Sequence, residues 1–141
     1  MTIERIIEHR HDIVTCSVNN TMREAATILA DRRIGALPVM DGTMIAGIFS
    51  ERDVIYRLRE FGADVLDRPV AEVMTAPAVT VSPDTAAMTA LAMMTKRRIR
   101  HLPVVSGGQM IGFVSIGDIV KYRLDKVEGE AAALRDYIQM A

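Results

Sequence analysis

The sequence predicts a mixed α/β (α+β) fold in which two β-α-β-β-α units pack pseudo-symmetrically, flanked by terminal helices. Three observations carry this expectation. The first is an internal repeat: displaced by 65 residues, positions 14–58 align with 79–123 without a gap, and 14 of those 45 positions are identical. Self-similarity at such a period marks paired or stacked structural units. The second is the alternation of short β-branched runs with apolar stripes at three- and four-residue steps. The third is size: the chain has 141 residues, half of them hydrophobic, enough to close one core, whereas a unit of about 60 residues alone closes only a marginal one.

Taken in order, the first element is a short terminal helix, Arg5 to Glu8. Val14-Thr15-Cys16 reads as a strand, ended by the turn signal Asn19-Asn20. Thr21 and Glu24 have the spacing of a capping box, and Met22, Ala25, Ala26 and Leu29 then recur on one helical face. Two strands follow, Leu37 to Met40 and Met44 to Phe49, joined by Asp41-Gly42, which tolerates the positive φ of a tight hairpin. A helix starts near Glu51. Around Asp67-Arg68-Pro69 a turn leads to a short helical connector, Val70 to Met74. The second copy repeats the plan: strand Val79-Thr80-Val81, turn Ser82-Pro83-Asp84, helix stripe Ala87, Ala90, Leu91 and Met94, a hairpin at Ser106-Gly107-Gly108, and a helix from Ile116. Leu124 to Met140 predicts a terminal helix, with Leu124, Val127, Ala131, Leu134 and Ile138 on one apolar face that needs a partner. The expected division is 1–68 for the first unit with its N-terminal helix and 69–141 for the second with the C-terminal helix.

Composition narrows the function classes. With 17 Lys+Arg against 18 Asp+Glu the formal net charge is −1, so the global basic field of a nonspecific nucleic-acid binder is missing. No apolar run approaches the ~20 residues of a membrane span. Cys16 is the only cysteine, which excludes a disulfide within the chain, and the first residues lack a secretory signal pattern. The expectation is a soluble protein of the cytoplasm, without nucleic acid or membrane as partner. No nucleophile-base set, Walker-type loop or paired-carboxylate constellation occurs, so the sequence predicts a protein that is not an enzyme.

The chemistry concentrates where the copies agree most closely. Gly47-Ile48-Phe49-Ser50-Glu51-Arg52-Asp53 and Gly112-Phe113-Val114-Ser115-Ile116-Gly117-Asp118 share Gly, a run of apolar residues, Ser, two free positions and Asp. A Ser closing a buried strand stands at the mouth of the next helix, where unpaired N–H groups and the helix dipole favour an anion. Three residues on, a carboxylate returns to the same side and can accept both hydroxyls of a ribose diol. The same four residues also serve as helix caps, with Ser accepting and Asp complementing the dipole.

With Arg-Ile-Gly-Ala-Leu-Pro-Val (33–39) and Arg-Ile-Arg-His-Leu-Pro-Val (98–104) upstream, the two copies resemble CBS domains, and the pair resembles a Bateman module. That resemblance implies a stand-alone module binding adenine nucleotides (AMP, ATP, NAD(H) or S-adenosylmethionine) in the cleft between the motifs. It further implies that Ser50, Arg52 and Asp53 face Thr75, Ala78, Arg100 and His101, while Ser115 and Asp118 face Ile13, Gly35 and Ala36. A regulatory sensor is implied, a homodimer that signals occupancy to a partner protein; the alternative is an interaction module with vestigial, empty pockets. No catalytic cofactor is expected.

Other features carry milder readings. In Lys96-Arg97-Arg98-Ile99-Arg100-His101, the first residues complement a helix C-terminus, whereas Arg100 and His101 stand equally as pocket rim or solvated charge. His9 and His11 lack the further ligands of a zinc site and read as a polar turn. Cys16 reads as a buried, inert thiol. Methionines such as Met88, Met93 and Met94 read as adaptable core filler. Because Gly117 replaces Arg52 in the second copy, the two pockets should be unequal, with the Asp53 pocket taking the more highly charged ligand.

Overall fold

In a computed structural model, which describes residues 1–8 and 12–140, the chain forms two similar units side by side. The His9/His11 pair lies outside the described residues. Helix α1 (Ile3–Ile7) precedes the first unit: β1 (Cys16–Ser17), α2 (Met22–Arg32), β2 (Ala36–Asp41), β3 (Met44–Ser50) and α3 (Glu51–Phe61). Two 3-10 turns, Ala63–Asp67 and Val70–Glu72, connect it to α4 (Ala87–Arg97), β4 (His101–Ser106), β5 (Gln109–Ser115) and α5 (Ile116–Met140).

The local signals act as their chemistry dictates. Thr21 and Glu24 close a reciprocal capping box at the start of α2. Met22, Ala25 and Leu29 are buried on its inner face, as are Ala87, Ala90 and Met94 on α4. Both helices end on an arginine in the left-handed region, Arg33 (φ 53°) and Arg98 (φ 55°), related by the repeat. Each hairpin is antiparallel with a bulge at the same repeat position, Val39/Met40 and Val104/Val105. Gly42, Gly107 and Gly108 supply the positive φ of the turns.

The first strand of each unit is shorter than the sequence predicts. β1 pairs in parallel with β2 through Cys16↔Val39 and Ser17↔Met40, leaving Val14 outside the ladder. In the second unit Val79-Thr80-Val81 contributes only the bridge Val81↔Val104. Pro83 supplies the reason. In the first unit Val18 donates its N–H to the Met40 carbonyl at 3.0 Å, and the residue at the matching position, Pro83, has no N–H to donate.

Two cores form, and the segments preceding the units are exchanged between them. Ile3 and Ile7 of α1 are buried in the second unit's core with Leu102, Val104, Val114 and Ile119. Val65, Val70 and Val73 of the connector are buried in the first unit's core with Leu37, Val39 and Phe49. Backbone bonds fix both crossings, Ile3 N to Thr85 O at 2.9 Å and Val70 N to Asn20 O at 2.7 Å. The exchange explains both motif glycines. A β-carbon on Gly47 would stand 2.7 Å from the Thr75 carbonyl oxygen, and one on Gly112 would stand 2.8 Å from Cδ1 of Ile7. Both distances are shorter than real contacts, so a bare backbone is what lets each crossing segment lie against its strand.

The two helices expected after Ser115 are one. α5 runs unbroken for 25 residues, because nothing between Ile116 and Met140 stops it: Gly129 costs about 1 kcal/mol relative to Ala without ending a helix. Only its first turns pack on the body, with Ile119 buried.

Candidate functional site

The two Ser-x-x-Asp segments stand at equivalent corners, each where the second strand of a hairpin enters its helix. Ser50 caps α3: its Oγ accepts from the Asp53 N–H at 3.3 Å, while Asp53 Oδ2 accepts from the Ser50 N–H at 2.9 Å and from Ser50 Oγ–H at 3.0 Å. Asp53 Oδ1 accepts from Thr75 Oγ1–H at 3.1 Å. Three of the roughly four acceptor positions of the carboxylate are thus engaged from within the protein, and one on Oδ1 is left for a further hydroxyl. Ser115 and Asp118 repeat the cap on α5, at 2.8 and 3.1 Å.

Above Asp53 opens a cleft of about 400 Å³. The structure brings Ser50, Arg52, Asp53, Thr75, Ala78, Arg100 and His101 together around it, the grouping expected from the sequence. Its lining is of mixed charge, with Arg52, Arg98 and Arg100 beside Glu51 and Asp53. Arg52 pairs with neither Glu51 nor Glu60; its Nη1 donates to the Arg98 carbonyl at 3.2 Å, and Glu60 is taken by Arg57 at 3.0 Å.

A second cleft, of about 250 Å³, gathers Ile13, Ala36, Ser115 and Asp118. Gly35 is not among its lining residues and lies instead in the Asp53 cleft, which corrects the expectation. The Gly35 carbonyl accepts from the Glu51 N–H at 3.0 Å at the start of α3. Arg100, its repeat counterpart, is tied likewise to Ile116 N–H at 2.8 Å. Asp12 adds a carboxylate to the second cleft, and no Arg or Lys lines it among the described residues.

Ala36 and His101 occupy the same repeat position and line both clefts. The imidazole stacks on Phe113 with ring centres 5.3 Å apart and a 14° tilt. Burial holds the His101 pKa below its ordinary value; Arg100 pushes the same way, and Asp118 and Glu51 oppose it. Cys16 is buried, and burial pushes its thiol up to about 11, which keeps it protonated.

Asp12, Arg98 and Phe113 escaped sequence reasoning. Arg98 lay in the basic cluster, but only its left-handed cap conformation turns its carbonyl toward Arg52. Phe113 was legible as a strand residue, while its stack with His101 depends on the register Pro103↔Phe113.

Among known proteins, the model of the CBS domain matches residues 3–60 and again 70–125. The chain is 34% identical over 129 residues to the mitochondrial CBS domain-containing protein CBSX3 of Arabidopsis thaliana, covering 88% of this chain and 63% of that protein. A CBS-domain protein of Agrobacterium tumefaciens superposes with a TM-score of 0.81 at 33% identity, over 87% of this chain and 99% of that one. The CBS domain pair of protein MJ0100, solved in complex with 5-methylthioadenosine and S-adenosyl-L-methionine, superposes with a TM-score of 0.77 at 25% identity, over 89% and 98%.

Proposed function

This chain belongs to the CBS-domain family, and we propose that it is a regulatory module that binds adenine nucleotides in its two clefts and signals their occupancy to a partner protein. The observation that carries the reading is the convergence of Ser50, Asp53, Thr75, Arg100 and His101 on one cleft, repeated with Ser115 and Asp118 at the other. The remaining acceptor position on Asp53 suits a ribose hydroxyl, and the neighbouring guanidinium groups suit phosphate oxygens. Support for an adenosine-type ligand comes from the complex of MJ0100 with two adenosine derivatives.

The charges sort the ligands. The arginines that line the Asp53 cleft favour a di- or triphosphate or the pyrophosphate of NAD(H), and Asp12 and Asp118 at the other cleft favour AMP or a less charged adenosine derivative. The protein works as a homodimer in a reducing compartment such as the cytoplasm, without chemistry on its ligand. Exposed Ile55 and Tyr56 on α3 supply one association surface.

Calorimetry with ATP on Asp53→Asn and with AMP on Asp118→Asn tests this. Asn keeps an acceptor oxygen for the Ser50 and Ser115 N–H groups that Ala would lose, so the substitution isolates the charged acceptor, worth roughly 1.5–3 kcal/mol or about ten- to a hundredfold in affinity. Unchanged binding in the double variant contradicts the assignment.

A further inference from the structure

The outer part of α5 is the least explained element of the molecule. From residue 123 to 140 every position is exposed, including Leu124 (56%), Val127 (45%), Leu134 (60%) and Ile138 (62%). A helix of this length with no tertiary packing is marginal in water. Six of its apolar residues form a regular seam: Val120, Leu124, Val127, Ala131, Leu134 and Ile138 follow each other at alternating steps of four and three, with Tyr137 and Met140 outside it. That is the 3.5-residue period of a coiled-coil seam, narrower than the stripe by which a helix packs on a globular core.

The residues flanking the seam specify the occupant. Counting Leu124, Ala131 and Ile138 as one set of core positions and Val120, Val127 and Leu134 as the other, the flanks carry Arg123 and Glu130 on one side and Glu128 and Arg135 on the other. In a parallel, in-register pair each flanking residue meets the one five positions on in the second helix. Arg123 then meets Glu128, and Glu130 meets Arg135, each twice. In an antiparallel pair with the same core layers, Glu128 meets Glu128, Glu130 meets Glu130, and Lys121 meets Arg135. The charges favour the parallel partner and oppose the antiparallel one.

We infer that the α5 tail pairs with the tail of a second copy of this chain as a parallel, in-register coiled coil, holding two modules with the same orientation along the α5 axis. The inference rests on the self-association part of the proposed function and is independent of nucleotide binding.

Two full-length variants test it. Glu128→Arg/Glu130→Arg makes all four flanking residues basic, and Arg123→Glu/Arg135→Glu makes all four acidic. Each alone replaces four attractive contacts by repulsive ones and weakens tail pairing on the order of tenfold to a hundredfold, since exposed pairs act modestly but here act together. Mixed in equal amounts, the two restore every contact. Native mass spectrometry of the mixture should show heterodimers well above the statistical half; a statistical mixture overturns the inference. Ile138→Cys gives an independent readout of direction. In the parallel arrangement the two thiols meet and oxidation links the dimer, while Cys16 stays protonated and buried. A dimer that does not link at this position overturns the inference while leaving the homodimer intact. A wild-type monomer at micromolar concentration refutes both.

Discussion

A single methyl group added at Gly47 sets a β-carbon 2.7 Å from the Thr75 carbonyl oxygen and 2.7 Å from the Met74 sulfur. The sulfur ends a flexible side chain and can swing away. The carbonyl cannot, because it accepts from the Ile48 N–H at 2.9 Å while Thr75 N–H donates back to Ile48 at 2.8 Å. Overpacking of this kind costs about 1–3 kcal/mol, and the lower chain entropy of Ala offsets about 0.4–1 kcal/mol of it. Gly47→Ala should therefore lose about 1–2 kcal/mol and, for a chain of this length, lower the thermal midpoint by roughly 3–8 °C. Moving Thr75 also loosens its bond to Asp53, so ATP affinity at the Asp53 cleft should fall with stability. The same substitution elsewhere sets the scale. Gly112→Ala meets only the Ile7 side chain of the short terminal helix α1, which shifts more easily, so the loss should be smaller. Gly129→Ala meets nothing within 4 Å in an exposed helix and should gain up to about 1 kcal/mol. Differential scanning calorimetry of the three variants, with ATP titrations, reads the series. A midpoint for Gly47→Ala equal to or above wild type, with unchanged ATP affinity, would refute the reasoning about the crossed connector.

Other outcomes follow from individual groups. Leu102, fully buried in the second core, should cost about 2–5 kcal/mol on truncation to Ala, measured by chemical denaturation. The folded state holds the His101 pKa below its unfolded value, so the penalty for protonating it is absent above the unfolded value, near 6.5, and grows as pH falls from there toward the lowered folded one; thermal midpoints between pH 8 and 5.5 should fall more steeply for wild type than for His101→Gln. Cys16, with its thiol pushed up to about 11, should react with a thiol reagent at pH 8 only on the timescale of unfolding, and fast labelling of the folded protein would contradict its burial. Arg52→Ala and Arg100→Ala should each reduce salt-sensitive nucleotide affinity at the Asp53 cleft while sparing the Asp118 cleft; equal loss at both would undo the assignment of the guanidinium groups.

The contrast between legible and hidden features has a physical basis. Thr21 with Glu24, the glycine turns and the helix stripes act over a few residues, so their chemistry is written locally and appears in the structure at the expected places. The repeat likewise exposed the pairing of Ser50 with Ser115 and Asp53 with Asp118. What stayed hidden depends on contacts between the halves. Nothing local in Ile3 or Val70 says that each is buried in the other unit's core, nor that Gly47 and Gly112 exist to admit those crossings. Gly35, which the family resemblance sets opposite Asp118, lines the Asp53 cleft instead, a placement that depends on how the two units meet. The missing strand at Val79–Val81 was legible after all: Pro83 stands where the first unit uses an N–H.

The claim that both clefts are built for adenine nucleotides is tested most directly by titrating the wild-type protein calorimetrically with AMP, ADP, ATP, NAD, NADH and S-adenosylmethionine, while following ATP for turnover. The account predicts saturable binding of at least one of these, at up to two sites per chain, with ATP recovered intact. Absence of saturable heat with every ligand would contradict it and leave an interaction module with empty clefts, and steady hydrolysis of ATP would contradict it by making the protein an enzyme.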